Sequence, residues 1–481
     1  MSSRDETHKI REQLALPLSP TVTNWAENTA YPERLKALLT GNLDFHDQNS
    51  TYATHGIHSF PAKFPPQLPR LFIENLTSPT DLVLDPMAGS GTTILEAYLA
   101  GRQAIGLDID PLALRIAAVK VHSLDTERVL HTMHTICNKV EQALGEENTL
   151  FTTAFHSAFD EETRQFITYW FSPQVYKTLF YLKREIDAIP EIPLRLFFEV
   201  VFSSLIITKN GGVSLALDLA HTRPHRAKIV YDENGNQILS EEIEKISPNR
   251  LRLLTKTLRP VLLEFEKRVR ANLRGDTGRA KHIPLPQIIS GDARALPLRN
   301  ESVDLIVTSP PYASNAIDYM RAHKFSLVWF GYPLAELSRY RHEYIGDDGR
   351  ATSEHGALPL MVQQVLDSLA RKDKNKMQAV QRYYSEMKNV LQEMHRVLRP
   401  GKAAILVVGT SVIRGIDIQI GNCLAEIGRQ IGFDIPAIGI RNLDRNRRML
   451  PAGKLRDHHS QIQQRMHQEY VIGFYKPPKE K

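Results

Sequence analysis

The sequence predicts a doubly wound α/β sheet interrupted by one large helical insertion. Three observations support this. Short apolar runs, LVLD at 82–85, AIGLD at 104–108, DLIVT at 304–308 and AAILVVG at 403–409, read as buried strands. Segments of helical periodicity alternate with them, the pattern of a sheet wound with helices on both faces. Between the second and third strands, residues 121–285 carry helical patterns and no Gly-rich turn between strands.

Taken in order, residues 1–54 are polar with scattered apolar positions and read as an N-terminal arm. In HSFPAKFPPQ (58–67) the prolines fix an extended entry, after which Leu68, Leu71, Phe72 and Leu76 fall at helical spacing. Residues 82–85 form a strand, 87–91 a tight glycine turn, and 92–100 a helix whose inner face is Ile94, Leu95, Tyr98 and Leu99. Gly101 stops that helix and 104–108 is the next strand, which completes a β-α-β unit with a right-handed crossover. Within the insertion, residues 194–207 are broken by Arg195 and Glu199 and too short to span a bilayer, so they read as a buried helix. Strands return at 287–290 and 304–308. After a stretch of mixed pattern at 313–375 come the helix YYSEMKNVLQEMHRVL, the strand AAILVVG, the helix GNCLAEIGRQIG and a closing strand, EYVIGFYKP.

Composition narrows the function classes. With 481 residues, 42% of them hydrophobic and 24% charged, the chain is neither disordered as a whole nor fibrous. Two cysteines, Cys137 and Cys423, cannot build a disulfide framework or a four-cysteine zinc site, and read as reduced buried thiols. The charged opening MSSRDETHKIREQ is not a secretory signal, so a soluble cytoplasmic protein without membrane spans is expected. His55/His58 and His458/His459 lack a third ligand at useful spacing, so no metal is expected. Residues 221–281 hold 14 Lys/Arg against 8 Asp/Glu, an excess equal to the whole-chain +6, and residues 441–456 add six more Lys/Arg. Each stretch fits either a solvated helix face or a polyanionic partner. Arg223, Arg226, Arg445 and Arg447 are the candidate nucleic-acid contacts, and Trp170, Phe171 and Tyr176 read as core packing or as part of such a surface.

Four strand ends carry the chemistry. In DPMAGSGTT (85–93) Gly89 and Gly91 permit a sharp turn, and the following helix N-terminus suits a carboxylate or phosphate. Ile94 at the third glycine position and the lack of a P-loop lysine disfavour a nicotinamide cofactor or a nucleoside triphosphate. In GLDIDP, Asp108 would sit beside that turn and accept both hydroxyls of a ribose. In SGDARALP, Asp292 could accept from an adenine amine. TSPPY (308–312) ends the fourth strand in a rigid pair of prolines, either a plain terminator or a device for methylating an exocyclic amine. Such a nitrogen is a poor nucleophile. A serine hydroxyl and a fixed proline carbonyl can accept its two N–H groups and free the lone pair for in-line attack.

DPMAGSGTT, GLDID, GDARALP and TSPPY, in that order, together resemble the amino-group DNA methyltransferases that use S-adenosylmethionine. HSFPAKFPPQ is similar to the segment that precedes the glycine loop in that family. The resemblance spans roughly residues 55–120 and 285–475. It implies a Rossmann-like methyltransferase sheet, with 55–120 and 286–481 as the two parts of the catalytic domain and 121–285 as a candidate target-recognition insertion. It also implies roles for single residues. Asp85, Gly89, Ser90 and Gly91 would form the cofactor turn and Thr92 would cap the methionine carboxylate. Lys63 and Phe64 would line the methionine end, Asp108 would hold the ribose and Asp292 the adenine. Ser309 and the Pro310 carbonyl would accept from the target amine, Pro311 would set the turn, and Tyr312 would stack on a base flipped out of double-stranded DNA. TSPPY looks most like the cytosine-N4 branch. Adenine-N6 or RNA methylation remains open, as does a non-catalytic protein that keeps the cofactor site. The resemblance further implies a restriction–modification context and a cognate endonuclease. Neither cysteine lies in a Pro-Cys turn, which disfavours carbon-5 methylation through a thiolate.

Overall fold

Paired apolar neighbours that face opposite ways dictate the sheet. Val83 and Leu84, Leu305 and Ile306, and Ile405 and Leu406 are all fully buried. Strands buried on both faces need helices on both sides. The computed structural model describes residues 23, 25–26, 29–61, 63–145, 148–208, 210–219, 224–241, 248–273, 283–313, 318–346, 357–443 and 468–479. Its strands are β1 (Leu82–Asp85), β2 (Gln103–Asp108), β3 (Ile229–Tyr231), β4 (Gln237–Ser240), β5 (Thr255–Thr257), β6 (Gln287–Ser290), β7 (Val303–Thr308), β8 (Leu398–Gly409), β9 (Val412–Ile413), β10 (Ile416–Asp417), β11 (Ile438–Asn442) and β12 (Gln468–Tyr475).

Seven of these form one sheet, in the order β11-β12-β8-β7-β1-β2-β6. From β6 to β8 the neighbours are parallel, while β12 runs antiparallel to both β8 and β11. The chain winds outward from β1 through β2 to β6, then returns to the other side of β1 at β7. This reversal is a topological switch point, where connections leave the strand ends in opposite directions and open a crevice.

Helices Tyr31–Thr40, Gln67–Leu76 and Thr92–Leu99 cover one face, with Leu35, Leu39, Phe72, Ile94 and Leu95 packed in one core with Val83, Leu305, Val307 and Ile405. Helices Leu360–Ala370, Lys374–Val397 and Ile420–Ile431 cover the other, through Val365, Tyr384, Met387, Leu391 and Leu424 against Leu84, Ile306 and Leu406. The segment expected as a polar arm thus supplies a core helix: Leu35, Leu38 and Leu39 are buried. Residues 121–285 are not purely helical either, since β4, β3 and β5 form a small sheet there.

The insertion is not detached from the sheet. Phe198, Phe202 and Phe265 share one core with Ile57 and Phe60, with Leu112 and Ile116 of helix Pro111–Val121, and with Met320 and Phe325 of helix Tyr319–Leu327. Helix Ile192–Ile206 is the buried apolar helix expected. Among the described residues no helix is long and apolar enough to cross a membrane.

Helix Tyr31–Thr40 lies close on β11 and β12 because both strands offer glycine there. A Cβ on Gly439 would sit 2.5 Å from the Leu39 carbonyl oxygen, a contact with rigid backbone. Gly439→Ala is therefore expected to lower stability by about 1–3 kcal/mol, read as an earlier urea unfolding midpoint. An unchanged midpoint would show that the helix is not seated there.

Candidate active site

The cleft is built at the carboxyl ends of four strands. At the end of β1, Asp85 Oδ1 accepts from Thr308 Oγ1 at 2.6 Å and from the Met87 amide at 3.2 Å. Burial pushes this carboxyl up to about 6, against the lowering effect of those hydrogen bonds. The turn that follows needs left-handed backbone at Gly89 (φ 49°) and Gly91 (φ 75°). Gly91 answers to packing as well, because a Cβ there would lie 2.8 Å from that of Ala117.

At the end of β2, Asp108 clamps the turn: Oδ2 accepts from the Gly89 amide at 2.7 Å and Oδ1 from the Asp110 amide at 2.8 Å. Burial, then the neighbouring Asp110 charge, pushes Asp108 up to about 7. Asp110 caps helix Pro111–Val121 through the amides of Leu112 and Ala113, at 2.8 and 3.2 Å. Its other oxygen meets His323 Nδ1 and accepts from Tyr344 Oη at 3.0 Å. Burial alone would raise Asp110, but His323 and the helix amides hold it below the usual carboxylate range.

Beyond β6, Asp292 is gripped by Arg294, whose Nη2 lies 2.7 Å from Oδ2. Although burial opposes it, that guanidinium keeps the carboxylate ionised below its ordinary pKa. Arg294 also reaches Glu386 and the Glu343 carbonyl, at 3.0 and 2.9 Å, which ties β6 to the cleft rim. Beyond β7, Ser309 and Pro311 face the same space, while Pro310 is buried.

These ends line one cleft, open to solvent, with about 880 Å³ of empty space counted out to its mouth. Lys63, Phe64, Asp85, Gly89, Ser90, Thr92, Asp108, Asp292, Ser309 and Pro311 all line it. Gly91, Pro310 and Tyr312 do not. Tyr312 lies just past the cleft, where its hydroxyl donates to Glu469 Oε1 at 3.0 Å and Glu469 in turn pairs with Arg441.

A DNA methylase family model of the N6/N4 type matches residues 23–119 and 303–476, which include both the glycine turn and TSPPY. The chain belongs to the DNA methylase family. It is 22% identical over 411 residues to the Type II methyltransferase M.MvaI of Kocuria varians, covering 80% of this chain and 83% of that protein. It is 24% identical over 439 residues to the Type II methyltransferase M.BsoBI of Geobacillus stearothermophilus, covering 81% and 80%. A shorter stretch of 115 residues is 32% identical to the Type II methyltransferase M.MjaII of Methanocaldococcus jannaschii, covering 23% and 22%. Neither segment matched by the family model includes residues 120–302.

S-adenosylmethionine is the methyl donor of this methylase. The donor set fits it: Asp108 keeps lone pairs for a ribose diol after holding two amides, and Lys63 with the helix start at Thr92 offers positive charge to a carboxylate.

Several wall residues of the methylase were not singled out from sequence. Phe60 stands three residues before Lys63 in HSFPAKFPPQ, Asp110 lies inside GLDIDP, and Tyr319 falls in the stretch of mixed pattern after TSPPY. Glu343, Tyr344 and Ile345 come from the stretch of mixed pattern and carry no local signal. His55 and His58 lie in a loop and are buried, against Glu96 and Ser203 respectively. Phe171 is core, with Trp170 and Tyr176 packed against that core. Arg226 is held by Glu241 and by the Tyr169 carbonyl, and lies over the Tyr169 ring. Arg223, Arg445, Arg447 and the His458/His459 pair lie outside the described residues.

The raised Asp108 has a measurable consequence. The folded methylase binds this proton more tightly than an unfolded chain, whose aspartate titrates near 3.8. Its stabilising contribution is full below that pH and is lost as pH rises through about 7. In urea unfolding across that window, wild-type stability relative to Asp108→Asn is expected to fall as pH rises. A constant difference would contradict the burial of this carboxyl.

Proposed function

We propose that the chain methylates the exocyclic N4 of cytosine within a short site of double-stranded DNA, as the modification half of a restriction–modification pair. The observation that carries the reading is the shared cleft: Ser309 and Pro311 line the same space as Gly89, Ser90 and Asp108. Bound S-adenosylmethionine supplies an electrophilic methyl group on a sulfonium. The protein's part is positioning. Asp108 takes the ribose hydroxyls, Asp292, held still by Arg294, takes the adenine amine, and Lys63, Phe64 and Thr92 hold the amino-acid end. Asp85, Gly89 and Gly91 set the course of the turn beneath. On the other wall, Ser309 Oγ and the Pro310 carbonyl accept from the two N–H groups of the target amine, and Pro311 fixes the carbonyl's direction. The nitrogen lone pair then faces the methyl group in line. Tyr312 stacks on the base once it has left the duplex, its hydroxyl anchored by Glu469. Serine rather than an acidic residue before the two prolines favours cytosine over adenine.

The DNA backbone is assigned to the basic segments around 221–281 and 441–456, which include Arg223, Arg445 and Arg447. Arg226, already paired with Glu241, would mainly order its own segment. The likeness to Type II methyltransferases supports the restriction–modification setting and a partner endonuclease.

Nucleosides released from DNA of cells expressing the chain are expected to contain N4-methylcytosine. N6-methyladenine in its place would overturn the choice of base. Ser309→Ala is expected to lower methyl transfer about 10²-fold or more while cofactor binding, read by calorimetry, is unchanged. Full transfer by that variant would remove Ser309 from the reaction.

A further inference from the structure

Beneath the glycine turn lies a group of polar side chains that the strand-end motifs do not use. Lys120, in the last turn of helix Pro111–Val121, is 1% exposed. Among the described residues its ammonium has one hydrogen-bond partner, Ser90 Oγ at 3.2 Å, and no carboxylate within ion-pair distance. The charged groups facing it are Lys63 and Glu96. Glu96 is itself enclosed: it accepts from Tyr52 Oη at 2.8 Å, meets His55 Nε2 at 2.7 Å, and burial pushes its carboxyl up to about 8. Lys63 donates to the His55 carbonyl at 2.9 Å. Two lysine amines therefore sit in a poorly hydrated corner with little negative charge to balance them. Burial, then Lys63, lowers the Lys120 pKa well below its ordinary value. A buried amine with no carboxylate to pair with is costly in its charged form, and an apolar residue would be easier to accommodate.

The hydrogen-bond chemistry gives the cation a use. A carboxylate bound at this end of the cleft favours the charged form of Lys120, and an ammonium can only donate, so Ser90 Oγ then accepts from Lys120 and its own proton points elsewhere. No acceptor for that proton occurs among the described residues, and Ser90 lines the cleft just ahead of helix Thr92–Leu99. The hydroxyl, Lys63 and the first amides of that helix thus converge on one end of the cleft. A carboxylate there would meet donors on every side and would supply the missing negative charge.

We propose that Lys120 is a positioning residue that acts through Ser90, turning the serine hydroxyl into the cleft as a donor to the α-carboxylate of the cofactor's amino-acid part. The site selects adenosyl compounds that carry that carboxylate over those that lack it. This rests on the cofactor assignment and is independent of which base is methylated.

The test is calorimetric titration of the full chain with S-adenosylmethionine and with 5′-methylthioadenosine, which keeps the adenosine and thioether but has no amino acid. Lys120→Met is expected to weaken S-adenosylmethionine about tenfold or more and to leave methylthioadenosine within about twofold of wild type. Its ligand-free melting temperature is expected to be no lower than that of wild type, because the replaced amine is buried with no carboxylate to pair with. Ser90→Ala should show the same loss of selectivity, and the double variant should lose no more than either single one. Equal weakening of both ligands, unchanged S-adenosylmethionine affinity, or additive losses in the double variant would overturn the proposal. Wild type that fails to bind S-adenosylmethionine would instead overturn the cofactor assignment on which it rests.

Discussion

The hydrogen bond between Asp85 and Thr308 sets the geometry of the cleft. These residues end β1 and β7, the neighbouring strands at which the winding of the sheet reverses, and their side chains meet at 2.6 Å. Thr93, in the first turn of the next helix, adds a second tie by donating to the Val307 carbonyl at 3.1 Å. Together they bolt the glycine turn to the strand that carries Ser309. In a buried, poorly hydrated setting such ties are short and resist rearrangement, because breaking one leaves a polar group without water. The spacing between the glycine turn and TSPPY is thereby a property of the sheet rather than of flexible loops.

The other walls are fixed by the same means. Asp108 holds the glycine turn from the β2 side, and Asp110 joins helix Pro111–Val121 to His323 and Tyr344. Arg294 links Asp292 to Glu386 and to the rim at Glu343. Each link crosses between segments far apart in sequence, and each uses an ionisable group removed from full solvation. The cleft is consequently electrostatically uneven, with the Asp108 and Asp292 carboxyls following β2 and β6 on one part of its wall and the Lys63 amine on another. In the proposed arrangement an S-adenosyl amino acid would turn its adenosine to the former and its carboxylate to the latter.

How far the sequence reveals this depends on the range of the interaction. The unit β1–turn–helix–β2 was legible to within a residue or two because every signal in it is local: an apolar strand, two glycines, a helix and a stop. Ser309 and Pro311 could be placed on the same edge because TSPPY ends an unmistakable buried strand. Helix Tyr31–Thr40 was missed because only Leu35, Leu38 and Leu39 stand out in a polar segment. The sheet β3–β5 was missed because its strands are three or four residues long and partly exposed. β11 escaped notice as an edge strand whose outward residue, Ile440, is apolar. Nothing local in PLALRIAAVKV marks Lys120 as buried, since its enclosure comes from the distant loop that carries Thr54, whose hydroxyl donates to the Lys120 carbonyl at 2.7 Å. Tyr344 and Glu343 join the cleft through tertiary packing alone.

The most direct test of the shared cleft is a crystal structure with S-adenosylhomocysteine. The account predicts the nucleoside between Asp108 and Asp292, the amino acid at Ser90, and the thioether sulfur facing Ser309 across open space wide enough for a base. A ligand bound away from the β1–β7 edge, or one whose sulfur is walled off from Ser309, would contradict it.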